Sequence, residues 1–156
     1  MRVTICVIGR LRAGPELDLI KDYLQRFDRT GRNLGLGPAQ IIELEDKKGG
    51  GSAAEAVLLE RAIPKGATIC TMDERGKVMT SPDFANMLGG WRDQGVGDLA
   101  FVIGGADGLT KELRAQADTS LSFGRMVWPH MLARVMLTEQ LYRAASILSG
   151  SPYHRA

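Results

Sequence analysis

The chain has 156 residues, 44% hydrophobic and 24% charged, a composition ordinary for one globular domain with a well-buried core. It contains no run of about 18 apolar residues, and its first apolar stretch, from Val3 to Ile8, is too short for a signal-peptide core, so a soluble cytoplasmic protein with no membrane partner is expected. Net charge is only +2, but residues 125–156 hold Arg125, Arg134, Arg143 and Arg155 against Glu139 alone, while the first 124 residues hold 16 basic and 17 acidic side chains.

Such a basic end is compatible with a phosphate-bearing partner and equally with a solvated surface. Cys6 and Cys70 lie inside apolar runs with no neighbouring His or second Cys, so buried reduced thiols are expected and no metal is called for.

Val3-Thr4-Ile5-Cys6-Val7-Ile8, closed by Gly9, is a near-continuous β-branched run, which suits a strand covered on both faces and hence a parallel sheet. Pro15 can open a helix whose Leu17, Ile20, Leu24 and Phe27 share one face, and Gly31 to Pro38 ends it. Residues 39–44 form a second strand pattern. The loop Glu45 to Gly51 lacks the glycine and lysine spacing of a phosphate loop, and Ser52-Ala53-Ala54-Glu55 has the order of a capping box for the helix through Leu58, Leu59, Ala62 and Ile63.

Residues 67–72 make a third buried strand, with Asp73-Glu74-Arg75-Gly76-Lys77 as the turn at its end. Ser81-Pro82 pairs an N-cap with a first-turn proline, ahead of a helix with Phe84, Leu88 and Trp91 on its core face. Residues 98–103 form a fourth strand that runs into Gly104-Gly105-Ala106-Asp107-Gly108, then a short helix capped by Thr110. A fifth short strand over 119–123 precedes an apolar helix over 131–148 and a polar tail of a kind that ordinarily frays. This alternation predicts one α/β domain over residues 1–156, a mainly parallel sheet flanked by helices.

Ligands of such sheets bind beyond the carboxyl ends of the strands. The loop after the first strand, Gly9-Arg10-Leu11-Arg12-Ala13-Gly14, lacks the spacing of a dinucleotide site. The Gly104-Gly105-x-x-Gly108 loop remains, as a turn needing positive φ or as a bed for a flat ligand. There is no nucleophile elbow and no metal-ligand spacing, so a hydrolase or metalloenzyme is not expected; a glycine loop together with a tail bearing Tyr153, His154 and Arg155 fits group transfer from a cofactor. The helix over 131–148 is apolar around much of its circumference, which is consistent with burial on two sides, within one subunit or between two copies.

Pro129-His130-x-Leu132-x-Arg134-Val135-x-Leu137-x-Glu139-Gln140-Leu141-Tyr142-Arg143-Ala144, with Pro152-Tyr153-His154-Arg155 behind it and the glycine loop ahead, closely resembles the small SPOUT-class ribosomal RNA methyltransferases that act on N3 of a pseudouridine in helix 69 of 23S ribosomal RNA. The resemblance spans essentially the whole chain. It implies S-adenosylmethionine as methyl donor, a C-terminal trefoil knot, a homodimer with cofactor sites near the subunit interface, and 23S ribosomal RNA in the ribosome as substrate.

By matching position it implies that Met72, Gly104, Gly105 and the segment Phe123, Gly124, Arg125, Met126, Val127, Trp128 line the cofactor. It also implies that Tyr153, His154 and Arg155 face the target base, with Arg143 a further candidate. His154 would either assist loss of the N3 proton or orient the substrate. The chain departs from the common family residues at Met72, often leucine, and Ala106, often proline, and by placing an arginine and a tryptophan within 123–128. The alternatives are a ribosome-associated RNA-binding protein without turnover and a related enzyme acting on transfer RNA or another RNA. The expectation for the tail is that it orders only with cofactor, partner or RNA.

Overall fold

The computed structural model describes residues 1–155; Ala156, the last residue of the expected domain, lies outside them. Five parallel strands, β1 (Arg2–Ile8), β2 (Ala39–Leu44), β3 (Thr68–Val78), β4 (Asp98–Ile103) and β5 (Thr119–Ser122), form one sheet in the order β2-β1-β4-β3-β5. The helices are α1 (Pro15–Gly31), α2 (Gly51–Ala62), α3 (Ser81–Asp93), the short α4 (Lys111–Ala115) and α5 (His130–Leu148). No helix is long and apolar enough to cross a membrane among the described residues.

Side chains alternate across a strand, and each face of this sheet has its own core. Val3, Ile5, Val7, Leu99, Phe101 and Ile103 face one way and pack with Phe27 of α1, Phe84 and Leu88 of α3, and Leu137, Leu141 and Ala145 of α5. Cys6 and Val102 face the other way, against Leu59 of α2 and Leu113 of α4. That double cover explains why β1 and β4 are apolar almost without interruption. Both thiols are fully buried, and burial pushes Cys6 up to about 11 and Cys70 up to about 12.

Five local expectations are corrected. The strand-three turn is a bulge inside β3, with Met72 and Lys77 both opposite Leu121 of β5. Asp73 supplies the turn chemistry, accepting from the backbone N–H of Arg75 at 2.9 Å and from its guanidinium at 2.8 Å, and Gly76 lets the bulge lie against β5, since a Cβ there would come within 2.7 Å of the Ser120 and Leu121 backbone.

At α3 the cap is Thr80, not Ser81. Its hydroxyl accepts from Asp83 N–H, while the Ser81 hydroxyl donates to Gln140 of α5 at 2.8 Å. The capping box of α2 does not form: Gly50 is the N-cap, Asp46 accepts from the N–H groups of Lys48 and Gly50, and Glu55 turns instead toward Gly105. Thr110 does cap α4 as expected, accepting from Leu113 N–H at 3.2 Å.

The basic C-terminal end is only partly a surface. Arg134 is buried and ties α5 to the sheet, donating to the carbonyls of Ile8 at 2.8 Å and Gly9 at 3.0 Å and pairing with Glu43 at 3.1 Å. The tail is folded, not frayed: the Tyr153 hydroxyl donates to Glu139 of α5 at 2.9 Å, and its ring meets that of Tyr142 with centroids 4.5 Å apart. A ring contact and a hydrogen bond to a carboxylate offset part of the entropy of ordering the tail.

Candidate functional site

A cleft of about 310 Å³ opens beyond the carboxyl ends of β3, β4 and β5. One wall is the bulge, Met72 to Arg75; a second is Ile103 to Leu109; the third is Leu121 to Gly124 with Met126, Val127 and Trp128; His130 and Ala133 at the start of α5 close it. Every expected cofactor residue is on this lining except Arg125, which is exposed. The fold puts them together because β3 sits between β4 and β5, so three sequence-distant loops leave the sheet side by side.

The glycine wall is built for close backbone approach. Gly104 and Gly105 are buried, the Gly108 N–H donates to the Gly105 carbonyl at 3.0 Å, and a Cβ on Gly104 would come within 2.9 Å of the Gly108 carbonyl carbon. No side chain larger than hydrogen fits there without moving the loop. The third wall turns at Gly124, with φ of 113°, a turn fixed from both sides by Ser122, whose hydroxyl accepts from Gly124 N–H at 3.1 Å and donates to its carbonyl at 2.9 Å.

The lining is divided chemically. Met72, Ile103, Leu109 and Leu121 give an apolar floor suited to a flat heterocycle, while Asp73, Glu74 and Asp107 bring negative charge suited to a cation. Asp73 is nearly buried, and burial raises its carboxyl, but the hydrogen bonds and charge of Arg75 and the charge of Arg114 outweigh this and hold it below the ordinary range. Asp73, Glu74, Arg75, Asp107 and His130 line the cleft although the sequence does not single them out as site residues; 73–75 and Asp107 lie at strand carboxyl ends and His130 in the C-terminal motif, the signals available for them.

S-adenosylmethionine carries adenine, ribose, a sulfonium cation and an amino acid end. An apolar floor, exposed backbone and carboxylates fit each of these in kind, and the cradle that a Cβ would fill supports backbone contact over side-chain contact.

The residues expected at the target base form a separate group. Glu139 accepts from the Arg143 guanidinium at 2.6 Å and from the Tyr153 hydroxyl, Arg143 lies 3.2 Å from His154 Nδ1, and its guanidinium sits 4.8 Å over the Tyr153 ring. Glu139 raises the Arg143 pKa, chiefly through the hydrogen bond. Burial first, and then the bond to Glu139, raise that of Tyr153. Arg155 is exposed beyond them. None of Arg143, Tyr153, His154 and Arg155 lines the cleft. Thirteen residues of helix from His130 to Arg143 span on the order of 20 Å, so within one chain the two groups stand apart.

The surface at the cleft's edge is partly apolar. Met126, Val127, Trp128, Met131 and Leu132 are all exposed, Val127 by 81%, beside the cleft mouth. Among the described residues no group of three or more His, Cys, Asp or Glu is placed to hold a metal ion.

Residues 1–154 match the family model described as predicted SPOUT methyltransferase. The chain is 74% identical over 155 residues to a protein of Dinoroseobacter shibae named ribosomal RNA large subunit methyltransferase H, covering 99% of both chains. It is 72% identical, with the same coverage, to a Ruegeria protein of that name. Among solved structures, a probable methylase family protein from Haemophilus influenzae superposes with a TM-score of 0.55 at 14% identity, over 99% of this chain and 70% of that one, a likeness of fold.

Proposed function

Because this chain belongs to the SPOUT methyltransferase family, we propose that it transfers the methyl group of S-adenosylmethionine to N3 of a pseudouridine in helix 69 of 23S ribosomal RNA, on the assembled ribosome. The observation that carries the reading is the cleft itself: three loops at one end of a parallel sheet, one of them a buried glycine wall, within a chain that matches the family over 154 residues.

When bound, the cofactor supplies an electrophilic methyl carbon, and the chain has to place the acceptor nitrogen in line with it and favour loss of the N3 proton. The backbone of Gly104, Gly105 and Gly124 with the side chains of Met72, Phe123 and Met126 to Trp128 holds the donor. Arg125 stays off the cleft wall, free for RNA phosphate. Arg143 can only donate, so its contact at Nδ1 places the proton of a neutral His154 on Nε2, where the N–H orients the base through a uracil carbonyl; taking the N3 proton would require Arg143 to release Nδ1 first. Arg155 and Arg143 grip phosphate or uracil carbonyls, and Tyr153 stacks on the base.

These roles need the tail beside a cleft that it does not reach in its own chain. The reading therefore includes a homodimer in which a second copy covers the apolar strip at 126–132 and lays its C-terminal tail over the cleft. It also includes the family's trefoil knot: after β5 at the sheet edge the chain returns past the loops of β3 and β4 to plant Arg134 on the end of β1.

The test is mass spectrometry of 23S ribosomal RNA from a deletion strain, followed by addition of purified protein and S-adenosylmethionine to its ribosomes. Loss of one methyl group from helix 69 and its return on addition are expected. Unchanged RNA in the deletion strain would overturn the assignment, and binding to the ribosome without methyl incorporation would make the chain a binding protein.

A further inference from the structure

One cation beside the tail lies outside the cluster of Glu139, Arg143, Tyr153 and His154. Tyr23 and Arg26 are three residues apart on α1 and so share a face of that helix. Tyr142 of α5 stands against this face: the Arg26 guanidinium is 5.8 Å over its ring, and the Tyr23 ring is stacked on it with centroids 6.4 Å apart. The same Tyr142 ring meets Tyr153 of the tail at 4.5 Å. The Arg26 side chain is 48% exposed, and its ion-pair partner is Asp22, one turn back on the same helix and equally exposed.

Resting on the reading of the tail as the part that meets the target base, we infer that Arg26 is an RNA contact. It takes a backbone phosphate to one side of the nucleotide held by Tyr153, His154 and Arg155, and Tyr142 sets it beside them.

Distance decides first. Steps of 5.8 Å and 4.5 Å through the Tyr142 ring leave the Arg26 guanidinium no more than about 10 Å from the Tyr153 ring. Stacked nucleotides follow one another at about 3.4 Å along a strand, so a strand leaving Tyr153 along α1 reaches Arg26 within about three nucleotides.

The donors decide next. Arg143 has Nε and Nη2 on Glu139 and Nη1 at His154, so the cation inside the cluster is already engaged at every nitrogen. Arg26 is held more loosely, by a ring face and an exposed carboxylate of its own helix. A guanidinium over a ring keeps the N–H donors of its plane available, in the fork that matches phosphate oxygens. An exposed ion pair adds little to stability, so exchanging Asp22 for a phosphate oxygen costs the fold little.

The experiment measures methylation of ribosomes from the deletion strain by wild type, Arg26→Ala, Arg26→Lys and Asp22→Ala over a range of salt concentrations. Affinity for S-adenosylmethionine and thermal midpoints are measured in parallel. Arg26→Ala should raise KM for ribosomes about tenfold with kcat within about twofold, the scale of one lost hydrogen bond to a charged group. It should also make the fall of log kcat/KM with log salt shallower by about 0.7, the share of one phosphate contact in a single strand. Its S-adenosylmethionine affinity should equal that of wild type. Arg26→Lys keeps the charge and should retain the wild-type salt slope. Asp22→Ala removes the competing carboxylate and should leave kcat/KM at or above the wild-type value.

A wild-type KM in Arg26→Ala would overturn the inference. So would a raised KM with the wild-type salt slope, the result expected of a contact to a ribosomal protein or of a purely structural arginine. A loss in Asp22→Ala equal to that in Arg26→Ala would also overturn it, by assigning the effect to the ion pair. Wild-type protein that leaves the ribosomes unmethylated would overturn the functional reading and this inference with it, whereas active wild type with an unimpaired Arg26→Ala would overturn this inference alone.

Discussion

The two ends of α5 leave their surroundings in opposite states. At the first end, Met126, Val127, Trp128, Met131 and Leu132 are exposed beside a cleft whose backbone is held in place but whose apolar rim has nothing against it. At the second, Glu139, Arg143, Tyr142, Tyr153 and His154 have already found each other, through three hydrogen bonds to one carboxylate, a contact between Arg143 and His154, a cation over a ring and two rings in contact. Contiguous exposed apolar surface marks the place where another molecule has to come. A satisfied polar cluster marks a group assembled in advance and offered as a unit. On the proposed reading, the first end is the receptor and the second supplies its lid.

The largest expected effect strikes the receptor. Gly104→Val forces a Cβ into the Gly108 backbone, and the loop shift that relieves it should weaken S-adenosylmethionine binding at least about a hundredfold while costing the fold about 1–3 kcal/mol, as overpacking does. Calorimetry and thermal melting separate the two readouts; normal affinity in a folded variant would remove the glycine wall from the site.

Next comes the lid. Glu139→Ala deprives Arg143 and the Tyr153 hydroxyl of their shared acceptor and should cost about 2 kcal/mol in chemical denaturation. It also has a pH signature. The Tyr153 phenol is raised above its ordinary value of 10, so its share of stability is complete below about pH 10 and is lost as the pH climbs through the folded-state value. Ultraviolet titration of the variant should bring that phenol back toward 10; an unchanged titration curve would mean that Glu139 does not hold the tail.

The smallest effect lies away from both ends. Thr80→Ala removes the α3 cap and should lower stability by about 1 kcal/mol without changing cofactor affinity.

The sheet was legible because its strands are covered on both faces. Val3 to Ile8 and Leu99 to Ile103 leave no polar alternation, and only a parallel sheet between helix layers accounts for that. The Gly104 loop was visible as glycines after a strand, but its use was not, since a turn and a ligand bed have the same composition. Phe123 to Trp128 came from resemblance alone: nothing in its residue types announces a cleft wall, and only the placement of β5 beside β3 makes it one.

The errors share a cause. Asp73, Ser52, Ser81 and the terminal arginines carry strong local signals, yet tertiary partners decide which signal is used. Asp73 stabilises a bulge because β5 continues alongside, and Ser81 is drawn to Gln140 while Thr80 takes the cap. Charge counting gave Arg134 to the surface, whereas two backbone carbonyls and Glu43 hold it inside. Glu55 was read as half of a capping box, and its position behind Gly105 depends on a contact fifty residues away in the chain that no local pattern encodes.

The claim that receptor and lid come from different copies is tested most directly by subunit complementation. Gly104→Val damages the cleft and leaves its tail whole; a His154→Ala, Arg155→Ala double variant damages the tail and leaves its cleft whole. Each alone should be nearly inactive in single-turnover methylation of ribosomes. Co-expressed and purified as the mixed dimer, they should regain roughly half the wild-type amplitude, since one of two symmetric sites then joins an intact cleft to an intact tail. A mixed dimer as inactive as its parents would contradict the account and return both halves of the site to a single chain.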